Sequence, residues 1–418
     1  MNMPCIEFQP RTMPTMESPP LIGLARLMTM AFRCVDLMPL AQTLITRALD
    51  DEHDANALMD LSTVLMLQGV REVGLSTQAQ AIACSRLYHL AADETPALHL
   101  LAIMTPGDLM TNAPLAFLAE RSDVALSMLY VQPGEPLPQH LPPHDVLWIA
   151  VSESDAVRGL LADLGAACAG WGSPTVNRPE GTLRTSRTEA CAALRGLPGV
   201  CMPDTARVDR AALQTLMRCE AEPGAWLQDG RWPLIVRPVD SHAGQGLEKV
   251  ASPFELSQYL SAMPGEDFYL SRFVDYASAD GQFRKFRVVL VDGVPYAGHL
   301  GVSSHWMVHY LNAGMTDSAA KRDEEARFMA EFDTRFARRH SAALQGIAER
   351  IGLDYLVIDC AETPEGELLV FEVDPGAAIH SMDSPDLFPY KVPAMEKVRV
   401  AFRALLARVA ATAGQTQP

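Results

Sequence analysis

Three carboxylates lie within two apolar segments near the C-terminus of this 418-residue chain. Asp359 ends the segment 354–359, and Glu372 and Asp374 lie in the segment 368–374. Both segments are rich in branched residues, which predicts two buried strands. Glu372 and Asp374 are two residues apart, so a strand points both to one face. Buried carboxylates need a cation, and hard oxygen ligands suit magnesium. The alternative is a solvated sheet edge, which the apolar flanks disfavour.

A second segment combines a predicted strand with a loop of small residues. The strand is 234–239 and carries Arg237, and the loop that follows contains Ser241, Gly244 and Gly246. Small residues let backbone N–H groups approach phosphate oxygens closely, and an arginine can hold two oxygens in a fixed fork. The segment is neither a Walker loop nor a GxGxxG motif, so an ordinary strand and turn is the alternative.

Two cations share a face of a third predicted strand, 284–291. Lys285 and Arg287 alternate with the apolar Phe286 and Val288, so both cations point to the same side of the strand. This arrangement suits an anion site, and the alternative is simple exposure to solvent. Asp292-Gly293 follows and predicts a hairpin turn.

The chain is predicted to divide into three regions. Residues 1–95 are expected to form a helical domain after a flexible leader over 1–20, with helical periodicity from 21 to about 92. Part of it, from Ser62 to about Pro96, resembles one degenerate tetratricopeptide repeat, and a plain helical bundle is the alternative. Residues 96–202 are expected to form a small parallel α/β domain, and residues 203–418 alternate strands and helices. Within the last region, 316–352 is predicted as mostly one long helix with a buried phenylalanine stripe.

Composition excludes several classes of partner. The net charge is −17, which argues against nucleic acid or an anionic membrane as the main partner. No segment has the length and apolarity of a membrane span, and no signal peptide is evident. The eight cysteines form no CxxC pair, which is typical of reduced thiols, so we expect a cytoplasmic protein.

The order of these motifs resembles the ATP-grasp superfamily of ligases, from about Cys201 to the C-terminus. The most specific piece is Phe371-Glu-Val-Asp-Pro375, placed after Asp359 at the expected distance. The resemblance implies an α/β (α+β) chain with an ATP-grasp fold, preceded by a pre-ATP-grasp domain in 96–202. Three positions depart from the usual pattern. Asp374 stands where Asn is usual, Arg237 where Lys is commoner, and Arg272 where a carboxylate is usual.

The resemblance also assigns roles to individual residues. It implies ATP and Mg²⁺ as cofactors, with magnesium held by Asp359, Glu372 and Asp374. The ATP phosphates would contact Arg187 and Arg237 under a lid formed by Ser241, Ala243, Gly244 and Gly246. The hinge that binds adenine would be 271–274, which contains Arg272, Phe273 and Val274. Arg287, with Lys285 beside it, would stabilise an acyl-phosphate. Position alone, apart from the resemblance, makes His380 a candidate for substrate contact, because it comes just past the metal strand. His299, His305 and His309 cluster after the cationic strand and are candidates to recognise the acceptor, but a structural role is the commoner one for each singly.

The implied activity is an ATP-dependent carboxylate–amine ligase that forms an amide bond through an acyl-phosphate. Its substrates would be a small-molecule or peptide carboxylate and amine, and self-association into a homodimer is left open. Two alternatives are a phosphotransferase on the same scaffold and a non-catalytic helical scaffold that has lost turnover. No GxSxG elbow occurs, so hydrolase chemistry has no support.

Overall fold

The computed structural model describes residues 19–241 and 244–413, apart from the side chains of Leu311 and Ala413. Ala243, one of the predicted lid residues, lies outside them, as does most of the predicted leader. The described chain begins with four helices: α1 (Leu24–Phe32), α2 (Met38–Asp50), α3 (Ala55–Leu67) and α4 (Arg71–Cys84). Helices α3 and α4 pack closely because Gly74 lets the backbone of α4 approach Met66 and Ser62.

The next segment forms a five-stranded sheet. Its strands are β1 (Leu87–Leu90), β2 (Leu98–Met104), β3 (Val124–Tyr130), β4 (Val146–Ile149) and β5 (Thr175–Val176), in the order β1-β3-β2-β4-β5. Strands β2 to β5 are parallel, and β1 pairs antiparallel with β3 at the edge. Its helices are the short α5 (Ala116–Ala119) and α6 (Arg158–Trp171).

The chain then builds a four-stranded antiparallel sheet. Two helices, α7 (Pro179–Thr182) and α8 (Arg187–Leu194), precede the short strand β6 (Val200–Cys201). The sheet itself has the order β7-β10-β8-β9, and all its pairs are antiparallel. Its elements in chain order are β7 (Thr205–Asp209), α9 (Arg210–Met217), β8 (Leu234–Pro238), β9 (Glu248–Val250), α10 (Pro253–Ala262) and β10 (Asp267–Arg272).

A third sheet carries the predicted acidic strands. Its order is β12-β11-β13-β14-β6, with only the β14–β6 pair parallel. The elements are β11 (Phe283–Val291), β12 (Val294–Ser303), α11 (Ala319–Glu331), α12 (Phe336–Arg339), α13 (Ser341–Ile351), β13 (Tyr355–Glu362), β14 (Leu368–Asp374) and α14 (Lys391–Ala413). Asp292 and Gly293 form the β11–β12 turn with φ angles of 52° and 75°, as the Asp-Gly pair predicts.

The closing helix α14 joins the first and third sheets in one core. Phe402 and Leu405 pack in the same buried cluster as Trp148 of β4 and Tyr355 of β13. The Trp148 ring meets Tyr355 at 5.6 Å and Phe402 at 5.5 Å between centroids. This shared core fixes the first sheet relative to the strands that bear the carboxylates.

The mixed α/β class predicted from the sequence is confirmed, but three local predictions are wrong. Helical structure does not continue to residue 92, because β1 takes 87–90 and pairs with β3. The small sheet is therefore not purely parallel. The stretch 316–352 forms three helices, although its phenylalanine stripe is buried as expected, with Phe332 and Phe336 stacked at 5.7 Å. The α3–α4 pair is a single helical hairpin, and the tetratricopeptide interpretation stays a prediction.

None of the helices that the structure describes has both the length and the apolar character required to cross a bilayer.

Asn177 links the first sheet to the third through a pair of buried hydrogen bonds. Its Nδ2 donates to the carbonyl of Tyr355 at 2.8 Å, and its Oδ1 accepts from the Tyr355 N–H at 2.9 Å. The Asn177 backbone N–H also donates to the Asp354 carboxylate at 3.0 Å. The side chain is fully buried, so these bonds are shielded from water.

We predict that Asn177→Ala lowers the free energy of unfolding by roughly 2–4 kcal/mol, because both backbone groups of Tyr355 lose a buried partner. Urea denaturation measures the change. Gln345→Ala, an exposed change on α13, is the control and should shift stability by less than about 0.5 kcal/mol. Equal stabilities of the two variants would show that the link carries little of the domain packing.

Candidate active site

One cavity of about 810 Å³ lies between the four-stranded sheet and the five-stranded acidic sheet. Its wall contains most of the residues that the sequence singled out: Arg187, Arg237, Gly244, Arg272, Phe273, Val274, Lys285, Arg287, Asp359, Glu372, Asp374 and His380. Among the described candidates, Ser241, Gly246 and His305 are outside this wall, whereas His299 and His309 border the cavity. The fold therefore gathers five of the cationic side chains that the sequence singled out, together with the three carboxylates, from both sheets and α8 around a single space.

Asp359 lies at the centre of the charged floor. It is a cross-strand partner of Arg287 on β11 and of Glu372 on β14, so three charged residues form a row across three strands. The Arg287 guanidinium donates to both carboxylate oxygens, at 2.7 and 2.9 Å, and Lys285 Nζ lies 2.7 Å from Oδ2. Burial alone would raise the pKa of Asp359, but Arg287 and Lys285 hold it far below its usual value. Asp359 is therefore a fixed anion that positions both cations.

The other two carboxylates share one face of β14. Glu372 accepts a hydrogen bond from Arg187 Nη2 at 2.7 Å, and Asp374 accepts one from the Gly376 N–H at 2.7 Å. Burial and the neighbouring Glu372 charge raise the pKa of Asp374 above its usual value. Glu372 Oε1 and Asp374 Oδ2 have no hydrogen-bond partner among the described residues. This pair is therefore the part of the site with excess negative charge.

The donor chemistry at this pair fits a magnesium ion. Mg²⁺ is usually held by one or two carboxylates together with substrate phosphates, and Glu372 and Asp374 supply such a pair. Asp359 is less suited because both of its oxygens already contact cationic side chains. In the described part of the chain, no three acidic, histidine or cysteine side chains are close enough to hold a metal by themselves. A role for Asp359 as a third ligand stays a prediction.

Arg237 is the buried cation of the four-stranded sheet. It lies on β8 beside Tyr269 of β10, and its Nε donates to Ser241 Oγ at 3.1 Å. A second N–H of the same guanidinium donates to the Ser241 carbonyl. No carboxylate oxygen of the described chain lies within 4.0 Å of it, in contrast to the salt-bridged Arg187, Lys285 and Arg287. Burial and the nearby Arg187 lower the pKa of Arg237 to about 10, so it stays charged at neutral pH.

The loop after β8 has the backbone that the glycines predict. Gly244 and Gly246 have φ angles of 77° and 64°, which disfavour residues with a side chain. A Cβ on Gly246 would lie 2.8 Å from Pro238, and the Gly246 carbonyl accepts from Tyr259 Oη at 2.9 Å. Gly246 therefore shapes the loop, and Ser241 accepts hydrogen bonds from Arg237. Gly244 borders the cavity.

An aromatic wall closes the end of the cavity near the predicted hinge. The Phe273 ring meets Trp306 edge-on at 5.7 Å, and Lys249 Nζ lies 4.4 Å from the Phe273 centroid. The backbone N–H of Phe273 donates to Pro233, and Arg272 forms a 2.6 Å ion pair with Asp229. Arg272 is therefore already engaged at the cavity margin, and the ring of Phe273 offers a flat apolar contact.

His380 borders the cavity, and its ring packs against residues from distant segments of the chain. Its ring lies between Phe32 of α1, at 5.8 Å, and Phe117 of α5, at 6.2 Å between centroids. The Met382 N–H donates to Nδ1 at 3.3 Å, which leaves Nε2 for other contacts. Burial lowers the pKa of His380 to about 4, so the ring is neutral at pH 7.

Sequence reasoning missed a second charged cluster at the start of α14. Lys391 Nζ contacts the Asp383 carboxylate at 2.9 Å and the Tyr310 hydroxyl, and lies 3.5 Å from Glu325. Glu325 is fully buried and also accepts from Tyr390 Oη at 2.7 Å. A lysine at the first position of an amphipathic helix gives no signal by itself, because its partners come from distant segments.

His299 is one of the candidates that the sequence singled out. Both of its ring nitrogens are buried, and neither has a hydrogen-bond partner in the described structure.

Comparisons with known proteins find similar solved structures at low sequence identity. No protein-family model matches the chain, and no curated protein matches its sequence. The VanG D-Ala:D-Ser ligase from Enterococcus faecalis is 13% identical, with a TM-score of 0.45 over 74% of this chain and 99% of that one. The D-alanine-D-alanine ligase from Coxiella burnetii is 11% identical, with a TM-score of 0.46 over 77% and 97%. A RimK domain ATP-grasp protein from Sphaerobacter thermophilus is 15% identical, with a TM-score of 0.41 over 72% and 98%.

Gly298 makes room for the Arg287 side chain. A bulge in the β11–β12 pair places Arg287 opposite His299 and Val288 opposite Ala297, so Gly298 has no partner between them. A Cβ on Gly298 would lie 2.9 Å from both Cγ and the carbonyl oxygen of Arg287.

We predict that Gly298→Ala displaces Arg287 from Asp359 and lowers turnover at least tenfold, because the added methyl group occupies the space of the Arg287 stem. Steady-state kinetics measures this. Gly170→Ala, at an exposed position of α6, is the control for a glycine-to-alanine change, since its added Cβ would have no atom within 4 Å beyond its own helix and its backbone does not have a positive φ. Equal rates for both variants would show that the Arg287 position is not set by this glycine.

Proposed function

We propose that the chain is an ATP-dependent carboxylate–amine ligase that forms an amide bond. The observation that carries the proposal is the single cavity in which Arg187, Arg237, Lys285 and Arg287 meet three carboxylates on an apolar sheet. Such a concentration of fixed charge in a buried space suits a polyanion and its counter-ion better than it suits a neutral ligand. The order of the motifs in this chain also resembles the ATP-grasp superfamily of ligases.

The nucleotide is proposed to lie across the four-stranded sheet. Arg237 supports this orientation because it is buried and not paired with a carboxylate in the described structure, so phosphate oxygens can take that place. The backbone beside Gly244 would approach the phosphates from the loop, and Arg187 would contact them from α8. The base would stack at the aromatic end, against Phe273.

Magnesium is proposed to bind at Glu372 and Asp374. When bound, the ion neutralises phosphate charge and lowers the barrier to phosphoryl transfer. The uncompensated pair of oxygens on one face of β14 supports this position. Arg187 would then bridge Glu372 and the phosphates.

The reaction proposed is transfer of the γ-phosphoryl group of ATP to a substrate carboxylate. An oxygen of the carboxylate forms a bond to phosphorus as the bond to ADP breaks, which gives an acyl-phosphate. The amine then attacks the acyl carbon, loses a proton and releases inorganic phosphate. Arg287 is held by Asp359 at the border of this space, where its fixed N–H groups would stabilise charge on the transferred group.

A phosphotransferase on the same scaffold is the competing activity, and product analysis separates the two. A ligase releases ADP and inorganic phosphate only when both a carboxylic acid and an amine are present. Coupled ADP assays with hydroxylamine as the amine would show a stable hydroxamate for a ligase. A phosphorylated product that persists in the presence of hydroxylamine would contradict the proposal, and no ADP release with any acid and amine pair would also count against it.

We predict that Arg287→Met lowers turnover about 100-fold or more, because a preorganised donor at the reacting group is lost. The ATP affinity should change much less, since Arg237 and the glycine loop hold the nucleotide. Lys285→Met should show a smaller loss, because Arg287 keeps its two bonds to Asp359. Steady-state kinetics with varied ATP separates the two effects.

Arg284→Met is the matched control on the same strand. Arg284 pairs with Asp280 and Glu324, on the face opposite to Lys285 and Arg287. Its rate should stay within about threefold of wild type, as expected for loss of a peripheral ion pair. If Arg287→Met and Lys285→Met match the control, strand β11 has no part in the chemistry.

A further inference from the structure

The cavity has an apolar end that the ATP-grasp resemblance does not account for. Helix α1 contributes Met28, Ala31 and Phe32 to its wall, at the i, i+3 and i+4 spacing that places three residues on one helical face. Leu67, at the end of α3, lies in the same wall. All four are partly exposed, and each packs against a buried cluster that contains a residue of α1. The N-terminal helices are therefore part of the site as well as packing elements.

This end of the cavity is firmly built. Ala25 of α1 packs in one cluster with Phe117 of α5 and Met382, and Met28 and Phe32 lie against that cluster. His380 fills the gap between Phe32 and Phe117. Helix α1 is thus packed against the segment that follows β14, the strand that carries Glu372 and Asp374. A packed aromatic and methionine wall of this kind presents a defined shape to a ligand.

The apolar end begins where the charged floor stops. Arg287 Nη1 donates to the Ala378 carbonyl at 3.1 Å, and Ile379 and His380 come directly after it in the chain. Both also border the cavity. A molecule whose carboxylate lies at Arg287 would therefore have its other end directed along Ile379 towards Met28 and Phe32. The volume of about 810 Å³ is in the upper part of the range of roughly 300–1,000 Å³ for small-molecule sites.

We propose that the carboxylate substrate carries a bulky aliphatic or aromatic group, and that Met28, Ala31 and Phe32 of α1 bind it. This inference rests on the proposed ligase function and names its substrate class as an apolar carboxylic acid, either a simple acid or an amino acid. Helix α1 would determine which acid binds, and the charged residues of the two sheets would carry out the reaction, which is the same for every acid. Burial of a side chain of this size typically contributes a factor of ten or more to discrimination against a small acid.

Direct binding tests this without depending on turnover. The full-length protein, with a non-hydrolysable ATP analogue and magnesium, is titrated by calorimetry with acetate, 4-methylpentanoate and 3-phenylpropanoate. A parallel series uses glycine, leucine and phenylalanine, which shows whether the acid needs an α-amino group. We expect the bulky acids of at least one series to bind tenfold or more tightly than its smallest member.

Two variants of α1 and one control locate the discrimination. Phe32→Ala should lower the affinity for the bulky acids at least tenfold. Ala31→Phe should prevent their binding, because the added ring fills the space. In both variants the affinity for the ATP analogue should stay within about twofold of wild type. Arg26→Ala, on the 70% exposed side chain that pairs with Asp93, should leave every affinity unchanged. Since Ala31→Phe adds apolar volume at a partly exposed helix position, it tests the pocket even if Phe32→Ala unfolds.

The inference is overturned if acetate and glycine bind as tightly as the bulky acids, if the preference survives in both α1 variants, or if no acid binds. Failure of the ligase proposal gives a different result. In that case bulky acids bind with the expected dependence on α1, but no hydroxamate or ADP forms when ATP and hydroxylamine are supplied.

Discussion

The site is organised by the buried contact between Asp359 and two cations, Lys285 and Arg287. A carboxylate that is only 7% exposed is costly without partners, and its two neighbours on β11 supply both charge and hydrogen bonds. The contact fixes Arg287 in one orientation, in which another of its N–H groups reaches the Ala378 carbonyl. It therefore sets the position of the charged floor and of the segment that leads to the apolar end.

The remaining parts of the fold deliver groups to that floor from independent directions. Helix α8 brings Arg187 to Glu372, and the four-stranded sheet brings Arg237 to the opposite side of the cavity. The α14 core and the Asn177 link hold the first sheet against β13. Helix α1 approaches from the N-terminal region and packs on Met382. The first and third sheets share one apolar cluster and the four-stranded sheet has its own, so the charged groups are placed by apolar packing on both sides of the cavity.

Sequence reasoning reached the strands and the charged residues because local pattern determines them. The alternation around Lys285 and Arg287 and the apolar run before Asp359 are properties of single segments, and the structure places these three charged residues in one cavity wall. The pairing of Asp359 with Arg287 could not be predicted, because it depends on the register of β11 against β13. The surroundings of His380 and the contacts of Lys391 could not be predicted either, because many of their partners are distant in sequence. The ring of His380 packs against α1 and α5, and Lys391 contacts Tyr310 and Glu325. The sequence predicts helix at strand β1, because four residues are too few to show a period of two.

The most direct test of this account is a calorimetric titration of ATP into the wild-type protein and into Arg237→Met, each with and without magnesium. The account predicts measurable binding to wild type that strengthens when magnesium is present, and a loss of at least tenfold in Arg237→Met, because the buried unpaired cation meets the phosphates. No binding under either condition, or equal affinities for the two proteins, would contradict the claim that this cavity holds a nucleotide.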